Sequence, residues 1–345
     1  SVTNIDNAAF WKAGYLKKVV MPDSVNRIGT EAFLECVNLQ TIHLPKSLSR
    51  LEMSAFKNCT SLNNITIPKS LSYALGPFDN CSGLKNVTFE EGINTIIPSL
   101  FDNCTGLESI TLPEDIVGID AYAFDGCTSL QKVNMSDKVQ WISDRAFYNC
   151  VNLKDADLPL SLQSLGAETY GNCYSLTSIY IPKSLTSVKT GISHPFRGCS
   201  SLKTATFEEG TKVVIKNLFE NCGSLETVIL PETITEIHQS AFSGCSSLKN
   251  IELPSQMTYI AQKAFYCCTV LEQIELPSTL AYVFPDCFYG CSALKEITIP
   301  AGITGIGARA FQKCTALEKV TFEKNGVISA IEDYAFADCS ALKSF

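Results

Sequence analysis

Apolar and polar positions follow two different periods within each short stretch of this chain, and the switch between them recurs at a fixed interval. The stretch from Ala264 to Pro277 shows both. Phe265 and Cys268, three apart, share one face of a helical turn, whereas Ile274 and Leu276, two apart, share one face of a strand. The pattern predicts a turn followed by a strand in every unit. Proline closes the strand in ten units, Pro45, Pro113 and Pro300 among them, because a residue without an N–H suits a strand terminus followed by a turn. Two further apolar slots, such as Leu162 and Leu165 or Ile234 and Ile237, lead into the next aromatic.

Cysteine marks the interval. Fourteen cysteines from Cys36 to Cys339 stand 23 residues apart, with exceptions of 22, 26 and 25, and fifteen such periods fill the 345 residues. Three residues before each stands Phe, or Tyr170 in one unit, and three residues after each stands Leu, from Leu39 to Leu342. A variant first unit carries Phe10, Ala13 and Leu16. One unit buries about seven side chains and cannot hide them alone, so stacked coils must cover one another. The expected fold class is an α/β repeat, a solenoid with one parallel β-sheet and short helical turns, forming a single domain over 1–345. With strands about 4.8 Å apart, fifteen coils would reach on the order of 70 Å.

The pattern Leu-x-x-Ile-x-Leu-Pro, followed by Ile-x-x-x-Ala-Phe-x-x-Cys-x-x-Leu, resembles the BspA-like, or treponemal-type, leucine-rich repeat family over essentially the whole chain. The resemblance implies a right-handed leucine-rich-repeat solenoid. It also implies a bacterial protein of the cell surface or extracellular space that binds other proteins or mediates adhesion to host matrix and neighbouring cells. The sequence departs from the family pattern at Ala13 and Tyr170, and at Pro77 and Pro195, which replace the small residue before Phe and are expected to reshape those turns.

A longer period overlies the short one. Phe89-Glu90-Glu91-Gly92 replaces the strand-ending proline and recurs 118 residues later as Phe207-Glu208-Glu209-Gly210, with a relative at Phe322-Glu323 after another 115. Pro77-Phe78 returns as Pro195-Phe196, and Leu100-Phe101-Asp102-Asn103-Cys104 as Leu218-Phe219-Glu220-Asn221-Cys222. These spacings point to tandem duplication of a five-coil block, which would repeat any binding feature along the array.

Charge and chemistry narrow the function. Against 35 Asp and Glu stand 27 Lys and Arg, a net charge of −8 that opposes binding to nucleic acid or anionic lipid. No apolar run approaches the roughly 20 residues that span a bilayer, and Ser1-Val2-Thr3-Asn4 shows no charged region followed by an apolar stretch, as expected of a chain from which a signal peptide has been removed. The 16 cysteines read as compact buried filler, since Ala13 takes the same slot; disulfides and metal are the alternatives considered. Cys287 is expected to be buried, and Cys267, in a turn slot mostly filled by Asn or Gly, is the thiol expected to react. No nucleophile stands beside an oriented acid–base partner, so no catalytic set, cofactor or metal is expected. Gly305-x-Gly307-x-x-Ala310 lacks the surroundings of a dinucleotide site.

Binding is therefore sought on positions that point outward and vary between coils. On the sheet face Tyr180 and Ile229 present apolar area, and Glu252 and Glu275, with Glu296 nearby, form an acidic strip suited to a basic partner. A second set is aromatic: Tyr259 and Tyr266 share one coil, Tyr282 and Tyr289 take the same slots in the next, and Trp141 with Tyr148 takes them one block earlier. Such residues suit protein interfaces and sugar rings alike; the structural alternatives are a solvated sheet and an aromatic ladder over the core edge. The sequence thus points to a non-enzymatic adhesion protein with a protein partner, or else to a glycan-binding module. Leu342-Lys343-Ser344-Phe345 stop inside an expected strand without a polar cap, as in a fragment.

Overall fold

A computed structural model describes residues 2–188 and 194–345, so the long period between Cys173 and Cys199 is described only in part. The chain divides into two compact units, Ser1–Leu176 and Thr177–Phe345. Within the first, the strand Asn64–Ile67 alternates exposed and buried residues, as a strand with one face on the core must. It pairs in parallel with Asn86–Phe89, placing Ile65 beside Val87 and Ile67 beside Phe89. The second unit repeats the arrangement: Ser178–Ile181 lies beside Thr204–Phe207, and Glu296–Ile299 beside Lys319–Phe322. Each unit is a parallel β-solenoid.

Two expectations need correction. A single sheet was anticipated, yet a second series of two-residue strands runs through the slots that precede the aromatic. Arg27–Ile28 pairs with Arg50–Leu51, which pairs with Tyr73–Ala74, and in the other unit Glu236–Ile237 pairs with Tyr259–Ile260. Short helical turns were also anticipated, and the described residues contain no helix. The reason lies in the turn's hydrogen bonds. Ala32, Leu34 and Cys36 donate to carbonyls three residues back, while the intervening Glu31, Phe33 and Glu35 donate to Met53, Ala55 and Lys57 of the next coil. Glu31 and Glu35 have φ of 56° and 59°. A left-handed residue every fourth position prevents a continuous run of bonds to the fourth residue back. The same two slots hold positive φ in coil after coil, which explains the recurrent Asn or Gly immediately before cysteine. At Pro77 the turn is shorter and opens with a bend at Leu75–Gly76, yet the Pro77 carbonyl still accepts from Phe56 at 2.7 Å, as Ala55 accepts from Phe33.

The core is a column of rings. From Phe10 to Tyr170 in the first unit, consecutive centroids lie between 4.8 Å (Phe10–Phe33) and 5.9 Å (Phe78–Phe101) apart, nearly parallel throughout. In the second unit the column runs from Phe196 to Phe336 at similar spacings. Tyr170 stacks on Phe147 and is as buried as the phenylalanines it replaces. Beside the rings stand the cysteines, all free, and all buried except Cys267. They are more than filler: Cys36 Sγ donates to the Phe10 carbonyl at 3.1 Å and Cys127 Sγ to the Phe101 carbonyl at 3.2 Å, a bond repeated along both units. Burial lifts the thiols far from ionisation, Cys81 to about 12.

The longer sequence period has a local counterpart. Phe89 meets Phe101 edge-on at 6.3 Å and Phe207 meets Phe219 edge-on at 6.2 Å. Glu90 accepts from the Lys69 amide at 3.1 Å, and Glu208 from the Lys183 amide at 2.9 Å. Gly92 and Gly210 have φ of 91° and 93°, where a side chain would be strained.

Candidate binding surfaces

Side chains reach solvent on the long strands, on the short strands and on the turns. On the long strands the outward residue stands seven positions after cysteine. Tyr180 (43% exposed) and Ile229 (51% exposed) are its large apolar members. Thr66 and Thr88 hydrogen-bond to each other at 2.7 Å, and Asn134 donates to Thr111 at 3.1 Å. Where this residue is His43, Thr, Asn134, Tyr180 or Ile229, it lies in a regular strand. Where it is Asp157, Glu252 or Glu275, no strand forms. Glu252 and Glu275 fall opposite each other, two residues beyond the single bridge Asn250–Gln273, and facing like charges destabilise a strand pair. Both carboxylates are exposed, and among the described residues neither is in an ion pair. Glu296 differs, lying in register with Lys319. Shallow grooves open along this stretch, one of about 480 Å³ between the Ile251 and Ile274 segments and one of about 460 Å³ from Ile274 to Thr321.

The aromatic candidates separate into two ladders. One uses the slot two residues before cysteine: Tyr266 and Tyr289 stack at 4.8 Å, 6° from parallel, with Lys263 over one ring and Lys313 over the other. Tyr148 takes this slot in the first unit, beneath the Arg145 guanidinium at 4.6 Å, and its hydroxyl accepts from Asn172 at 3.1 Å. The other ladder uses the slot nine before cysteine and includes Trp141, Tyr259 and Tyr282. Tyr259 and Tyr282 both meet Phe284 edge-on, at 4.9 and 5.1 Å, and the Tyr282 hydroxyl donates to Glu332. Burial, reinforced by Glu332, raises the Tyr282 hydroxyl to about 12.

Sequence reasoning passed over the glycines that seat these rings. A Cβ on Gly118 would lie 2.0 Å from the Trp141 ring, one on Gly171 2.7 Å from Tyr148, and one on Gly305 2.8 Å from Tyr282. Each glycine holds the ring's own slot in an adjacent coil, so the aromatic lies flat against bare backbone. The available signal was glycine alternating with an aromatic at one repeat position. Phe284, which gathers Tyr259 and Tyr282, was also passed over, as was the stacked carboxylate column of Asp79, Asp102 and Asp125. There burial and the preceding Asp raise Asp102 to about 6 and Asp125 to about 7.

The remaining chemistry is sparse. Among the described residues no group of His, Cys, Asp and Glu could hold a metal ion, and no helix is long and apolar enough to cross a membrane. Cys267 is half-buried, and burial raises its thiol although Tyr266 and Lys313 act the other way. It is accessible without being activated.

Comparison with known proteins agrees with this architecture. The family model for the BspA type leucine rich repeat region (6 copies) matches residues 3–117, 94–224, 166–283 and 212–343. A leucine-rich repeat protein from Bacteroides ovatus is similar in structure, with a TM-score of 0.68 and 26% identity over 96% of this chain and 88% of that one. A leucine rich cell surface protein from Faecalibacterium prausnitzii aligns over 95% of this chain and 86% of its own, at 24% identity and a TM-score of 0.42. No curated protein matches the chain in sequence.

Proposed function

The chain belongs to the BspA-type leucine-rich repeat family, and from that premise we propose that it is a non-enzymatic adhesion protein. In this reading it acts at the cell surface or outside the cell, and its partner is a protein of host matrix or of a neighbouring cell. One observation carries the reading. The buried positions are nearly invariant from coil to coil, whereas the outward residues of the long strands change from Thr66 to Tyr180, Ile229 and Glu252 on the same backbone. A scaffold that varies only its exposed side chains is suited to recognition. The local likeness of the Phe89 and Phe207 regions supports a duplicated five-coil block, which offers a partner two equivalent footholds and increases avidity.

A glycan is the second reading, favoured by the Tyr266–Tyr289 stack and by rings seated flat on glycine, since flat amphipathic rings suit sugar faces. The experiment presents immobilised native protein to matrix proteins and, in parallel, to a glycan array. Saturable binding to a matrix or surface protein is the expected result, and saturable binding to glycans alone would replace the first reading by the second. Serine at Tyr259, Tyr266, Tyr282 and Tyr289 assigns the face: lost binding places the partner on the aromatic ladders, and unchanged binding leaves them structural.

A further inference from the structure

The open stretch of sheet around Glu252 and Glu275 brings two like charges to the same slot of adjacent coils, whereas Asp157, where no strand forms either, stands between Asn134 and Tyr180. The open stretch lies between adjacent grooves whose lining is mainly polar, with Glu232, Asn250 and Gln273 beside the half-buried Leu253 and Leu276. Beyond the bridge Asn250–Gln273, no backbone hydrogen bond joins these two segments. Backbone polar groups are therefore left available beside two facing, unneutralised carboxylates. Facing like charges weaken a strand pair, and the adjacent coils with Thr298 and Thr321 at the same slot keep theirs.

We infer that this opened sheet face docks an extended, lysine- or arginine-bearing segment of a partner protein. The inference deepens the protein-binding reading and rests on it. A cationic side chain placed between Glu252 and Glu275 removes the repulsion that keeps the segments apart. Its aliphatic stem lies along the half-buried Leu253 and Leu276, and its backbone meets the groups the missing ladder leaves unpaired. Binding and strand formation are then coupled: the partner's charge supplies what Thr298 and Thr321 achieve by being neutral. Basic groups already present do not fill this role. Lys249 and Lys295 are both engaged by Glu272, and Lys319 stands opposite Glu296.

The test uses the whole chain and a ten-residue peptide of alternating lysine and threonine, with a glutamate–threonine peptide as control. Calorimetry at low and physiological salt gives affinity, and amide exchange reports 250–253 and 273–276. The lysine peptide is expected to bind, to slow exchange at both segments, and to weaken at least tenfold in Glu252→Thr/Glu275→Thr. In that variant exchange is expected to be slow without peptide. Glu318→Thr, which removes an acid paired with Lys343 elsewhere, is expected to leave affinity unchanged. Equal affinity for native protein and the double variant, or exchange that ignores the peptide, overturns the inference. A divalent cation that slows exchange while the peptide does not also overturns it, identifying an ion as the occupant. A matrix protein captured equally by native protein and the double variant refutes this site while keeping the protein-binding reading, whereas capture of no protein refutes that reading itself.

Discussion

Replacing Gly118 by alanine tests whether the aromatic ladders are built on glycine. Gly118 is buried and sits in register with Trp141 in paired strands, and the new Cβ would meet three indole atoms at 2.0, 2.2 and 2.3 Å. Ordinary contact needs about 3.5–4.0 Å, so one partner must retreat by about 1.5 Å. The paired backbone resists and the half-buried indole yields, lifting off the surface. A tryptophan buries up to about 250 Å²; losing one face, on the order of 80–100 Å², at about 25 cal/mol per Å² costs about 2–2.5 kcal/mol. Restricting the unfolded chain with alanine returns about 0.4–1 kcal/mol, leaving a net loss of about 1–2 kcal/mol. In a Trp141→Ala background the clash vanishes and the same substitution should stabilise, so the sign of its effect reverses. Urea unfolding measures both, and Trp141 emission in a Trp11→Phe background should shift to the red in Gly118→Ala, since the chain has 2 tryptophans. Equal destabilisation in both backgrounds, or unchanged emission and stability, would show that the indole does not rest on this glycine.

Other parts of the structure give further expected outcomes. Thiol titration without reductant should find sixteen free thiols in denaturant and one fast-reacting thiol, Cys267, in the native protein; a denatured count near zero refutes the buried thiol ladder. Asp125 is raised to about 7, so the folded state holds its proton more tightly than the unfolded chain, and stability falls as pH rises from about 4 to about 7. Asp125→Asn should therefore stabilise at pH 8 by about 1–2 kcal/mol, after allowance for solvent screening, and by nothing at pH 4; thermal melts at the two pH values that give equal differences contradict the assignment. Cys267 has φ of 55°, in the left-handed region that Asn tolerates, so Cys267→Asn should stabilise by about 0.5–1 kcal/mol in urea. A loss of stability there would mean that the thiol's packing outweighs the backbone strain.

Much of this was legible in the chain. Phe, Cys and Leu recur at fixed offsets because each coil must match the coil below it, so the strand, the buried column and the parallel stacking follow from spacing alone. The turn was misread because Phe265 and Cys268, three apart, suit a helical turn and a turn hydrogen-bonded to the next coil equally well. The Asn and Gly before cysteine were the clue, since they favour left-handed backbone. Candidate binding residues were legible as variable slots, but their grouping was not. Tyr259 and Tyr266 share a coil yet join different ladders.

The sequence by itself determined the period, the buried residues and the parallel stacking, because these depend on which side chains can repeat against themselves at one coil's spacing. Only the tertiary structure decided where the strands give way beside Glu252 and Glu275, which glycine seats which ring, and that thiols such as Cys127 serve a carbonyl of the preceding coil. Those outcomes depend on partners about 23 residues away, and on distances that a one-dimensional pattern does not contain.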